Sequence, residues 1–276
     1  MKNKSMCVRE IAEAVERIAP VSLQEPWDNS GLTIGFEDRQ VKNLLTCLEV
    51  DEKVAGEALK EECEMIVSHH PLIFSEVKSI CDSETFGKTM MELIANGISV
   101  YSCHTPFDKV KGGNNDYLAK RIGLVSVKNM NGNDGVSPEK AERTSEADLG
   151  RIGKLKGEIS LADMMLRICD ALELRQNQIR VAGSLDKMIK TVGICTGAGA
   201  EFFRDFKKQG CDLMITGDVK YHQAREALAM GLCLIDAGHY GTEKSFAENM
   251  KEKLERETGG RVNIIASREN LEPFVW

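Results

Sequence analysis

Short apolar runs alternate along this chain with helix-length stretches that stop at glycine, and that rhythm restricts the fold more than any other feature. The runs occupy 44–50, 65–67, 98–101, 191–195, 213–216 and 234–236. Val8, Ile11, Ala12, Val15 and Ile18 recur at helical spacing before Pro20 ends the first helix. Further helices are predicted at about 52–62 and 84–96, from the Ser160/Asp163 capping box through Leu172, and from about Thr242 to the Gly259-Gly260 pair. Gly97, Gly210, Gly231 and Gly259 each fall just past a helix end, where a left-handed residue closes the last turn. Strands alternating with helices specify an α/β fold with largely parallel pairing, and ligands of such sheets gather at the carboxyl ends of the strands.

The two halves of the chain resemble each other. MIVSHHP is answered by LMITGDV, and HTPFD by HYGTE. The expected architecture is two similar α/β units from an internal duplication, 1–127 and 151–276, with a metal site at strand ends between them. Residues 128–150 are polar, lack periodicity and contain Gly, Pro, Asn and Ser, so they read as a linker or long loop.

The chain is 276 residues long with 42% hydrophobic residues, enough to bury a core without covalent staples. A net charge of −7 disfavours bulk attraction to nucleic acid or anionic membrane, and 5% aromatics disfavour a single-strand stacking surface. Nine cysteines form no C-x-x-C pair and several sit in apolar runs, which points to buried thiols in a reducing compartment. The charged, helix-patterned N-terminus does not read as a signal peptide, and no apolar run approaches a membrane span. A cytoplasmic protein is expected.

Four of the five histidines, His69, His70, His104 and His239, lie at strand ends, and His222 starts the helix after another. His104 to Asp108 and His239 to Glu243 share the pattern His-x-x-x-carboxylate, which on one helical turn places both groups on the same side. Adjacent residues leaving a strand point apart, so His69 and His70 would suit two ions better than one. Imidazole with carboxylate fits Zn, Fe, Mn, Ni or Co better than Ca or Mg. Each motif alone also fits a packed turn; their joint placement at strand ends favours two divalent metal ions held by His69, His70, Asp108, His239 and Glu243. Thr196-Gly197-Ala198-Gly199 fits a phosphate cradle or, more simply, a tight turn. Cys103 is expected to point away from the cluster.

The segments Pro26-Trp27-Asp28-Asn29-Ser30-Gly31-Leu32, Ser68-His69-His70-Pro71, His104-Thr105-Pro106-Phe107-Asp108, Leu149-Gly150-Arg151-Ile152-Gly153, Thr216-Gly217-Asp218 and Gly238-His239-Tyr240-Gly241-Thr242-Glu243 span nearly the whole chain in order. On these the sequence resembles the Nif-three-like family of dinuclear-metal-centre hexameric proteins, often labelled GTP cyclohydrolase I type 2-like, in its short form without an inserted middle domain. The resemblance implies His70 and Asp108 on one ion, His69 and His239 on the other, and Glu243 touching both. It implies His104 near the site as a proton carrier or occasional ligand, His222 and Asp218 lining the cavity, and a homohexamer. The activity it implies is a metal-dependent hydrolase acting on a nucleotide or related heterocycle, with His104 or His222 moving protons. The alternative is a non-catalytic protein that stores or senses metal, or a ring-shaped scaffold.

Overall fold

A computed structural model describes residues 5–131 and 149–276. The chain divides into two compact units. The first comprises Met1–Phe107 with Phe246–Leu271, and the second Asp108–Ser245 with Glu272–Trp276.

In the first unit, strand β1 (Met6–Cys7) leads into helix α1 (Val8–Ile18), whose Val8, Ile11, Ala14, Val15 and Ile18 form a buried stripe. There follow β2 (Gly31–Ile34), β3 (Gln40–Val41), β4 (Asn43–Cys47), α2 (Glu52–Lys60), β5 (Met65–Ser68), α3 (Thr85–Ala95) and β6 (Ser99–Ser102). Helix α4 (Thr105–Lys109) carries the chain from the first unit into the second. The second unit continues with α5 (Asn114–Arg121), β7 (Val125–Asn129), β8 (Arg151–Ser160), α6 (Leu161–Leu172), β9 (Arg180–Ala182), β10 (Met188–Ile194), α7 (Phe203–Lys208), β11 (Leu213–Thr216), α8 (Tyr221–Ala229), β12 (Cys233–Asp236) and α9 (His239–Glu243). The chain then returns to the first unit with α10 (Phe246–Thr258) and β13 (Asn263–Ala266).

The first sheet has the order β13-β4-β5-β6-β2, parallel except for β2, which runs antiparallel to β6. All four residues of β5 and of β6 are buried, as expected for parallel strands covered on both faces. Leu45, Ile66 and Val100 pack with Val54, Ala58 and Leu93 into one core. Each of the leucine, isoleucine and valine side chains contributes about 1.5–3 kcal/mol on burial. The second sheet has the order β7-β8-β10-β11-β12-β9, with β10, β11 and β12 parallel and the others antiparallel.

The sequence rhythm located six of the parallel strands; it missed the parallel edge strand β13 and the antiparallel strands. β2 lies inside a turn-rich stretch, and only Ile34 of its four residues is buried, so no alternation betrays it. The ten-residue β8 begins on the buried Arg151, a residue type that reads as surface. The predicted long helix from Thr242 is two helices, the short α9 beginning at His239 and then α10. The stretch read as a linker, 128–150, falls mostly on 132–148, outside the described residues; its first two residues, Lys128 and Asn129, belong to β7. No helix among the described residues is long and apolar enough to cross a membrane.

Candidate metal centre

In the first unit the site starts where β5 ends. The ladder to β4 continues one step past Ser68, with His69 N–H donating to the Cys47 carbonyl (3.1 Å) and His70 N–H to that of Leu48 (2.8 Å). The chain then bends at His69 and His70. Because it has left strand geometry, the two imidazoles do not splay apart as adjacent strand residues would; their centroids lie 5.2 Å apart. His104, beyond the end of the neighbouring β6, stands edge-on to both, at 5.2 Å from His69 and 5.6 Å from His70. His69, His70 and His104 can each offer a ring nitrogen within 4.8 Å of the others. That arrangement can hold a metal ion.

Two of these rings are fixed through Nδ1. His69, fully buried, sits with Nδ1 3.0 Å from the Cys103 carbonyl. A carbonyl only accepts, so Nδ1 carries the proton and Nε2 keeps its lone pair for a ligand. His104 Nδ1 lies 3.0 Å from Asp28 Oδ1. Asp28 also accepts from the Thr105 N–H (3.1 Å) and from the hydroxyls of Ser30 (2.9 Å) and Thr105 (2.5 Å). Burial alone would push the Asp28 carboxyl up; the hydrogen bonds from His104, Thr105 and Ser30 outweigh it and hold the group well below the usual carboxylate range. The Cys103 side chain is buried and joins no metal-capable group among the described residues, while its backbone orients His69.

In the second unit His239 opens α9 and Glu243 follows one turn later, with His239 Nε2 3.1 Å from Glu243 Oε2. Asp218 Oδ2 lies 2.8 Å from His239 Nδ1. Asp218 takes a left-handed φ of 55°, and Gly217 before it lets the two backbones come this close, since a Cβ there would stand 2.6 Å from the backbone nitrogen of His239. Gly197, at φ 66°, is held open more tightly still: a Cβ would fall 2.3 Å from Glu243 Oε1. The Thr196-Gly197-Ala198-Gly199 turn is therefore shaped around Glu243. Its first two N–H groups are already bonded, Thr196 to Asn115 Oδ1 (2.9 Å) and Gly197 to Thr242 Oγ1 (2.9 Å), which favours the plain turn over a phosphate cradle.

Asp108, only 7% exposed, accepts from Asn114 Nδ2 at 3.0 Å. Its backbone carbonyl accepts from Asn115 Nδ2 (3.1 Å). Behind it the buried Arg151 donates to the carbonyls of Lys109 (2.6 Å) and Val110 (3.1 Å) and pairs with Asp116 (3.1 Å). Glu243 is 3% exposed. Carboxylates this deep need compensating hydrogen bonds or positive charge, and His239, with Nε2 beside Glu243, fits a borderline-soft divalent cation. The donor set fits a metal.

His222 lies exposed on α8 and belongs to no metal-capable group among the described residues. From sequence, Trp27-Asp28-Asn29 reads either as a segment that orients the site or seals the cavity or as a structural corner, and Asp28 does orient His104; Asn114 on Asp108 and the buried role of Arg151 were passed over. The sequence did carry a trace of Asp28, in the turn-forming Asp-Asn-Ser-Gly run.

The family model for DUF34/NIF3 (NGG1p interacting factor 3) matches residues 6–273. This chain belongs to the DUF34/NIF3 family. A Clostridium perfringens relative called GTP cyclohydrolase 1 type 2 homolog is 36% identical over 269 residues, covering 98% of this chain and 99% of its own length. A Staphylococcus aureus hypothetical protein of known structure superposes with a TM-score of 0.88 at 27% identity, covering 99% of this chain and all of its own. The fold is also that of a Bacillus cereus NIF3-related protein, with a TM-score of 0.89 at 24% identity and coverage of 99% and 100%. DUF34/NIF3 membership agrees with the resemblance drawn from the sequence.

Proposed function

We propose that His69, His70, Asp108, His239 and Glu243 together bind two divalent transition-metal ions, and that the chain is a metal-dependent hydrolase acting on a nucleotide or related heterocycle. The observation that carries the reading is the repeated anchoring of imidazoles by Nδ1: a carbonyl on His69, and carboxylates on His104 and His239. This is how proteins fix the tautomer of metal-ligating histidines and raise their basicity. Names of relatives that include GTP cyclohydrolase 1 type 2 support a purine-like substrate.

Bound divalent ions would supply Lewis-acid polarisation and a water acidic enough to serve as nucleophile near neutral pH. The protein's part is positional. His69, His70 and His239 present nitrogen donors, Asp108 and Glu243 supply charge, and Glu243 with its two oxygens can serve both ions. His104, held by Asp28, keeps one nitrogen directed among the other histidines, where it can take or return a proton during bond cleavage. The chain acts as a homohexamer in this reading.

Elemental analysis of protein purified without chelators tests the metal claim. About two equivalents per chain are expected, falling sharply in His69→Ala/His239→Ala. Less than one equivalent, unchanged in that variant, overturns it. Turnover on GTP and pterins, lost in Glu243→Ala with folding intact, supports the hydrolase. Metal that exchanges with supply but no turnover on any such compound identifies a metal-storing or metal-sensing protein instead. Sedimentation of the purified chain as anything but a hexamer removes the assembly.

A further inference from the structure

Two large aromatic side chains stand open to solvent beside His104. Trp27 is 55% exposed and Phe74 53%, in a chain with few aromatics. Their rings touch each other, with centroids 6.2 Å apart and planes tilted by 52°. Both are edge-on to His104, Trp27 at 5.8 Å and Phe74 at 6.5 Å. Exposing that much ring surface forfeits the burial that aromatic residues normally gain, so the position calls for an occupant.

The two rings are presented rigidly. Trp27 precedes Asp28, whose carboxylate is locked to His104, Thr105 and Ser30. Phe74 follows Ile73, whose carbonyl accepts from Asn29 Nδ2 at 2.6 Å. The segments carrying Trp27 and Phe74 are thus tied to each other and to His104 by polar bonds, leaving the ring faces free. Beyond Phe74 an open trough of about 470 Å³ is lined by Ser75, Glu76, Lys78, Ser79 and Glu84 among others. That is the size of a small-molecule site. Leu72, Val77 and Phe86 make the rest of its lining apolar, and with two carboxylates against one ammonium it suits a neutral substituent that carries some hydroxyls more than a bare polyanion.

We propose that Trp27 and Phe74 form a stacking platform for a planar heteroaromatic ring bearing a hydroxylated substituent, as in a nucleoside, and hold that ring beside His104. Centroids 6.2 Å apart are those of a directly contacting pair, so the ligand ring lies on the exposed side of the pair and not between the two. Stacking tolerates any base and gives the platform affinity for the ring; discrimination falls to the polar groups around it. The proposal names the substrate class of the hydrolase reading and rests on that reading for what happens to the ring.

Trp27 and Trp276 are the only tryptophans, so Trp276→Phe leaves Trp27 as the sole indole reporter. In that background guanosine and 6-hydroxymethylpterin should quench the fluorescence saturably, and ribose should not. Phe74→Leu, followed by fluorescence, and Trp27→Leu, followed by calorimetry, should each weaken guanosine binding about tenfold or more, the scale of a lost stacking partner. Metal content should stay at the parental level in both. Because the platform is made of protein alone, quenching should persist after chelation. If neither probe quenches at millimolar concentration, if ribose competes equally, or if both leucine variants bind like the parent, the platform is overturned. Loss of metal or turnover with quenching intact would instead remove the hydrolase reading and leave the platform.

Discussion

His239 is clasped from both sides: Asp218 Oδ2 sits 2.8 Å from its Nδ1 while Glu243 Oε2 sits 3.1 Å from its Nε2. One carboxylate orients the ring and the other shares the direction in which it would bind a cation. Asp218 joins no metal-capable group among the described residues, so removing it isolates the orienting effect. Asp218→Ala should lower zinc affinity by roughly 10–100-fold, the range seen when such partners are lost. Equilibrium dialysis against a zinc chelator series measures this. An affinity equal to the parent would show that Asp218 does not orient His239.

Gly197 offers a sharper steric test. Its left-handed φ costs about 1–2 kcal/mol for a residue with a Cβ, and that Cβ would stand 2.3 Å from Glu243 Oε1. Glu243 lies on a short helix tied to Gly197 through Thr242, so it has little room to yield. Gly197→Ala should lower the melting temperature by several degrees and reduce bound metal together. A thermal scan with elemental analysis checks both. Gly210→Ala, at a similar φ with open space around it, should cost stability but leave metal content unchanged.

Arg151 carries a buried charge that supports the loop beyond Asp108. It donates to the Lys109 and Val110 carbonyls and pairs with Asp116. Arg151→Met leaves those carbonyls and a partly buried carboxylate without their partner, which typically costs about 3–5 kcal/mol. A urea titration should show an unfolding free energy lower by that amount, with the midpoint reduced in proportion. Removing both partners in Arg151→Met/Asp116→Asn should recover part of the loss, which distinguishes an orphaned charge from lost packing.

The histidines of the candidate site stood out in the sequence because histidine is rare here and strand ends are easy to find. His69, His70 and His239 each follow a short, wholly apolar or nearly apolar strand that stands out as a run. Which histidine each orienting carboxylate holds was not legible, for the opposite reason. Asp28 reaches His104 across 76 positions, and Asp218 reaches His239 across 21, so no local period links them. The burial of Arg151 could not be read either, because a sequence carries no sign of the carbonyls that surround it. The antiparallel edge strands were hidden likewise, since β2 buries one side chain in four and cannot show a two-residue alternation. The divergence inferred for His69 and His70 assumed strand geometry that ends at Ser68.

The cysteines give the last prediction and its sign can be worked out. Burial, reinforced by Glu64 beside Cys63 and Asp212 beside Cys211, pushes each of these thiols up to about 12 from an ordinary value of 9.0. In the unfolded chain both ionise near the ordinary value. Below that pH both states keep the proton and the thiols add no pH dependence. Between about 9 and 12 the unfolded state releases protons that the folded state retains, so stability falls as pH rises through that window. The urea midpoint should therefore drop from pH 8 to pH 10, and drop less in Cys63→Ala/Cys211→Ala. The same burial predicts how the thiols react: in native protein at pH 8 a thiol reagent should modify the exposed Cys81 first and the half-buried Cys7 more slowly. The seven buried cysteines should react only after unfolding. Fast native modification of Cys63 or Cys211, located by peptide mapping, would show that these thiols are not shielded and would remove the basis for the alkaline loss.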